Sequence, residues 1–120
     1  MYEKFGQFID GKWQASSNKE TYEVINPANE EVIGRASKAT PEDVDRALKS
    51  AEKGLEVWKK TSPWKRSSVI RKIADLIRAK QDVLAKWITI EVGKPFLEGK
   101  GEVGATADIF EWNSEETKRI

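Results

Sequence analysis

Three glutamates, Glu91, Glu98 and Glu102, are the side chains of this sequence best suited to moving a proton, and Glu98 and Glu102 stand four residues apart, on one face of a helix. A carboxylate pair works as acid and base only when burial or a neighbouring charge drives the two pKa values apart. The surrounding residues supply no such neighbour, so solvated helix surface accounts for the three better than catalysis. A second candidate overlaps them. Gly99-Lys100-Gly101-Glu102-Val103-Gly104 spells G-x-G-x-x-G, the spacing of a turn that cradles a pyrophosphate. That chemistry needs a buried strand before the turn and a helix N-terminus after it, so that backbone N–H groups meet the phosphates. Here Pro95-Phe96-Leu97-Glu98 offers only a helix start, and Glu102 would put a carboxylate inside an anion site. Small residues that let a helix approach its neighbour are the better reading. Tryptophans beside basic residues, in Trp58-Lys59-Lys60 and Trp64-Lys65-Arg66, could stack the bases of a single-stranded nucleic acid. Trp58 and Trp87 instead fall in apolar helical stripes, which assigns them to a core.

The residue types that are missing exclude whole classes of chemistry. There is no Cys, hence no disulfide and no thiolate, and no His, the commonest proton shuttle and zinc ligand. The 21 basic and 20 acidic residues are interspersed and leave a net charge of +1, so no field steers the chain to nucleic acid. No apolar run approaches the roughly 20 residues of a membrane span. Met1-Tyr2-Glu3-Lys4 lacks the basic and apolar stretches of a signal peptide, and a cytoplasmic protein without membrane or nucleic-acid partners is expected. A chain of 120 residues fits one modest domain, and no linker or repeat divides it.

The elements that must position these residues fall into two groups. Residues 5–36 read as antiparallel hairpins. Phe5 to Gln14 turns at Asp10-Gly11, a dipeptide that accepts the positive φ values of a type I′ turn. Ser16-Ser17-Asn18-Lys19 is a polar loop, and Tyr22–Ile25 pairs with Glu31–Ala36 across a turn at Ala28-Asn29. Residues 40–120 read as about four amphipathic helices. Thr40-Pro41-Glu42-Asp43 gives a cap, a first-turn proline and an acid three residues after the cap. Val44, Ala47, Leu48, Ala51, Leu55 and Trp58 form the apolar stripe of a helix of about four turns. Its polar side carries the i,i+4 pairs Glu42/Arg46, Asp45/Lys49 and Glu56/Lys60. Ser62-Pro63 starts a second helix with Ile70, Ile73 and Ile77, and Asp82 a third with Val83, Leu84, Trp87 and Ile88 facing inward. Gly93 closes the third, and Pro95 opens a fourth with Leu97, Val103, Ala107 and Phe110. No glycine or proline stops that last pattern before Ile120, so the chain reads as cut off.

The stretch Thr89-Ile90-Glu91-Val92-Gly93-Lys94-Pro95, continued by Glu98 and Glu102-Val103, resembles a block of the NAD(P)-dependent aldehyde dehydrogenase family. Further blocks follow the family's order: Phe8-Ile9-Asp10-Gly11-Lys12-Trp13, Val24-Ile25-Asn26-Pro27, Glu31-Val32-Ile33-Gly34, Ile73-Ala74-Asp75-Leu76-Ile77 and Glu111-Trp112. The resemblance implies an α+β fold for residues 1–120, the N-terminal portion of that family's cofactor-binding domain. It implies NAD or NADP as cofactor of the full-length enzyme and none for this chain alone. In the full enzyme a cysteine thiolate attacks an aldehyde, hydride passes to the nicotinamide, and a glutamate activates water to release a carboxylic acid. Those residues belong to sequence after Ile120, and the N-terminal style is closest to the succinate-semialdehyde subgroup. The implied partners are the remainder of the dehydrogenase chain and further copies in a homo-oligomer. The resemblance also places a structural monovalent cation on the backbone carbonyl of Ile25 and the carboxylate of Glu91. It does not make Asn113 the family's oxyanion-stabilising asparagine, because that residue follows a strand in a Pro-Trp-Asn-Phe-Pro loop. Trp112 is expected to pack and Asn113 to face solvent. The competing expectation is a self-sufficient helical binding or scaffold module without catalytic activity. A segment meant to cover a sheet built by other sequence should leave stripes such as Ile70/Ile73/Ile77 partly open.

Overall fold

The computed structural model describes residues 6–119. Phe5, placed at the start of the first hairpin by sequence, and Ile120 lie outside them. The chain forms two compact units, Met1–Lys59 and Lys60–Ile120.

In the first unit, β1 (Gln7–Ile9) and β2 (Lys12–Gln14) pair antiparallel with Phe8 opposite Trp13. Asp10 at φ 55° and Gly11 at φ 73° make the left-handed two-residue turn that the Asp-Gly dipeptide predicts. Strands alternate faces, so Phe8 and Trp13 share one side, their ring centroids 5.1 Å apart. Gln7, Ile9, Lys12 and Gln14 share the other. β3 (Thr21–Ile25) and β4 (Val32–Ser37) form a separate two-stranded sheet with a register shift between Val24 and Ile25. The strand starts one residue after Glu31, because Glu30 takes a positive φ of 60° and Asn29 accepts from the Glu31 N–H. Helix α1 (Pro41–Trp58) runs about five turns rather than four. It begins with a reciprocal box, in which Thr40 Oγ1 accepts from the Asp43 N–H at 3.2 Å and Asp43 accepts from the Thr40 N–H at 3.0 Å.

The docking of α1 reverses what its pattern predicts. The first hairpin meets the polar side of the helix: Gln7 donates to Asp43, Arg46 to Gln14, and Ser50 to Asp10. Positions 43, 46 and 50 lie roughly a third of a turn from the apolar stripe. That stripe is open, with Val44, Leu48 and Leu55 exposed by 50%, 59% and 58%. Trp58, assigned to a core by its spacing, is exposed as well. A helix with one short hairpin against it has only one covered face, and polar contacts occupy it here. The i,i+4 ion pairs also give way to i,i+3 pairs, Arg46 with Asp43 and Lys59 with Glu56.

In the second unit, α2 (Pro63–Ala79), α3 (Gln81–Val92) and α4 (Phe96–Glu116) are followed by a short 3-10 turn, Thr117–Arg119. Ser62 Oγ caps α2 by accepting from the Lys65 N–H at 3.3 Å. α3 starts one residue before Asp82 with no side-chain cap, and Gly93 ends it at φ 77°, its N–H donating to Thr89 O. α4 is the centre of this unit and lies against both α2 and α3. Its buried face is built of small residues, Gly99, Val103, Ala107 and Ser114, and the buried residues of its neighbours are small too, Ser67 and Ala74 of α2 and Ala85 of α3. Small side chains bring the helix axes together and leave larger ones at the margin. Ile70, Ile77, Leu84, Trp87, Ile88 and Phe110 are accordingly half-buried. Val83 and Leu97, expected inside, are exposed, and so is Trp112 at 69%. Trp112 stands five residues after Ala107, about 140° round the helix from the buried face. Among the described residues no helix is long and apolar enough to cross a membrane.

Candidate functional site

Asp43 is the most completely ligated ionisable group among the described residues, and it sits 1% exposed at the start of α1. Both its oxygens accept from the Ser17 backbone N–H at 3.1 Å, and one of them from the Ser17 hydroxyl. The Thr40 N–H, Gln7 Nε2 at 3.3 Å and the Arg46 guanidinium complete the set. The Ser17 hydroxyl first, then the Thr40 backbone N–H, outweigh burial and hold the Asp43 carboxyl far below the usual carboxylate range. Such a group neither gives nor takes a proton near neutrality. Asp43 therefore fastens the loop after β2 and the first hairpin to α1. The helix-start pattern exposed Asp43 in the sequence, but its partner Ser17, 26 residues earlier, lay in a stretch read only as a polar loop.

A second cluster ties α2 to α4. Arg71 Nη1 lies 2.9 Å from Glu111 and Arg78 Nη2 2.7 Å from Asp108, while Glu111 also pairs with Arg78. Asp108, then Glu111, raise the Arg78 pKa further above its ordinary value. These groups hold helices in place and have no reactive partner.

The glutamates picked out in sequence are not brought together as an acid-base set. Glu91 is in the last turn of α3, Glu98 in the first turn of α4, and Glu102 forms an ion pair with Lys94. Residues 99–104 are helical throughout, with the Gly99 N–H bonded to Pro95 O at 2.9 Å. No strand precedes them, so their N–H groups belong to the helix ladder rather than to a phosphate cradle. A Cβ built on Gly99 would stand 3.3 Å from the Ala85 carbonyl oxygen and 3.4 Å from the Ile88 side chain, the close-packing role expected of a glycine here, whereas Gly101 has nothing within 4 Å. Asn113 is exposed, its side-chain amide donating to Ile109 O at 2.8 Å. Ile25 ends β3 in the first unit, and Glu91 belongs to the second. Among the described residues no three acidic side chains gather as a metal-binding group.

Residues 13–120 match the model of the aldehyde dehydrogenase family. The chain belongs to the aldehyde dehydrogenase family. Glutarate-semialdehyde dehydrogenase of Pseudomonas aeruginosa is 40% identical over 113 residues, which cover 94% of this chain and 23% of the relative. The succinate-semialdehyde dehydrogenase (NADP(+)) of Escherichia coli is 36% identical over 112 residues, 93% of this chain and 23% of the relative. A betaine aldehyde dehydrogenase of Staphylococcus aureus, solved in complex with NAD+, superimposes with a TM-score of 0.92 at 32% identity over 96% of this chain. An NAD-dependent aldehyde dehydrogenase of Sinorhizobium meliloti gives 0.93 at 31% identity over 97%. The chain spans about a quarter of the length of the relatives it matches, 23% or 24% in each case. Its hairpins and helices are thus a member of the family's N-terminal fold, and α4 with its small-residue face is part of that fold.

Proposed function

We propose that this chain acts as the N-terminal scaffold of an NAD(P)-dependent dehydrogenase that oxidises a semialdehyde to a carboxylic acid. The observation that carries the reading is 40% identity to a glutarate-semialdehyde dehydrogenase across 94% of the chain, combined with the absence of cysteine. Without a thiolate these 120 residues supply no nucleophile for the carbonyl. Companion sequence provides the cysteine, the base and the nicotinamide site. The chain's own part is positional: the Asp43 cluster fixes the hairpins on α1, and the tight α3–α4 contact fixes the turn at Gly93. Further copies in a homo-oligomer and a cytoplasmic location belong to the same reading.

Grafting tests the proposal. The corresponding segment of the Pseudomonas aeruginosa enzyme is replaced by this chain, and NAD(P)-dependent oxidation of glutarate semialdehyde is measured. Activity within about tenfold of the parent supports the scaffold reading. A soluble, folded but inactive chimaera overturns it.

A further inference from the structure

We propose that the groove between the first hairpin and α1 binds a small molecule carrying a di- or triphosphate. The groove has a volume of about 390 Å³, ample for a compact polyanion, and its walls carry Lys12 from β2 with Arg46, Lys49 and Lys53 from α1. Asp10 is the one acid among the lining residues, and the Ser50 hydroxyl faces it at 3.4 Å. With Arg46 offset by Asp43 and one lysine by Asp10, two positive charges remain in one concavity of a chain whose net charge is only +1.

The groove's cations come from two elements, Lys12 on the hairpin and the rest on α1. Arg46 is committed, donating to Asp43 and to Gln14 at 3.2 Å. The ammonium groups of Lys12, Lys49 and Lys53 have no ion-pair or hydrogen-bond partner among the described residues. The pair Asp45/Lys49, which helical spacing would allow, is not formed among the described residues. Lys49 and Lys53 stand four apart on α1 and repel each other, and the hairpin brings a third ammonium to the same space. Three ammonium groups around one cavity suit an anion of several charges. Lysine serves as a point charge without the planar fork that matches carboxylates, and phosphate oxygens accept such point charges from several directions. The floor is ordered independently of any ligand, because the Asp43 and Arg46 contacts already fix the hairpin on the helix. A preformed pocket of this kind loses little ordering entropy on binding.

Calorimetric titration of the 120-residue chain with inorganic tripolyphosphate at low salt tests this. Two variants are compared, Lys49→Gln/Lys53→Gln in the groove and Lys65→Gln/Lys72→Gln on α2 in the other unit, equal in charge change. The expected result is one site, weakened at least tenfold by the groove pair and less than twofold by the α2 pair. ATP is expected to compete for it. Equal weakening by both pairs would reduce the effect to diffuse attraction, and absence of saturable binding by the folded chain would overturn the proposal outright. Lys12→Gln, on the opposite wall, serves where the double variant unfolds, and it too must weaken binding several-fold.

Discussion

Gly99 on α4 lies so close to Ala85 on α3 that an added methyl group would stand 3.3 Å from the Ala85 carbonyl oxygen. Gly101, two residues on, has nothing within 4 Å of its would-be Cβ. Alanine at either position improves helix propensity by up to about 1 kcal/mol, but only at Gly101 is there room for it. Gly101→Ala should therefore stabilise the second unit by up to about 1 kcal/mol, whereas Gly99→Ala should gain nothing or lose. Urea unfolding of the two variants checks the order. A stabilising Gly99→Ala would show that α3 and α4 are free to move apart.

Acid should act on the first unit through Asp43. Its folded pKa is depressed, so its stabilisation is complete above the unfolded carboxylate pKa near 3.8 and declines as pH falls below that value toward the folded one. Asp43→Asn should lower the melting temperature by several degrees at pH 7, and the gap to the parent should narrow between pH 4 and pH 2. A gap that stays constant over that range would mean the carboxylate charge is not what holds Ser17 and Thr40.

The open stripe on α1 predicts association. Val44, Leu48 and Leu55 present adjacent apolar side chains, and contiguous patches of this kind are uncommon on soluble monomers. Light scattering should show the mass of the isolated chain rising with concentration, and Leu48→Lys/Leu55→Lys should shift it toward the monomer. A monomer mass at every concentration, with a sharp cooperative melt, would favour a self-sufficient module.

The isolated chain should oxidise no aldehyde with either nicotinamide cofactor, since it has no thiol to attack the carbonyl. Turnover above the buffer blank that survives repurification would refute this.

Local signals in the sequence were decisive where chemistry is local. The Asp10-Gly11 turn, the Thr40/Asp43 box, the Ser62 cap and the Gly93 stop are each set by a few neighbouring residues, and each is found in place. The assignments that failed depend on what covers a face. Trp58, Leu97 and Val83 carry apolar spacing, but spacing states only that a face could be buried, and the hairpin took the polar side of α1 instead. The Ser17–Asp43 contact escaped for a related reason: two polar residues 26 apart give no periodic signal. G-x-G-x-x-G was separable from a phosphate turn because the missing strand is itself a local feature.

The polar seam between the first hairpin and α1 sets an order of events during synthesis. Its hydrogen bonds join residues 32 to 40 apart, so every participant is present once α1 has emerged, before the second unit exists. At roughly 5–20 residues per second, translating Lys60–Ile120 takes roughly another three to twelve seconds. Throughout that interval the nascent chain displays a hairpin-helix unit with the row Val44, Leu48 and Leu55 exposed. That row is still exposed once Ile120 has been added, so finishing these 120 residues does not end its exposure.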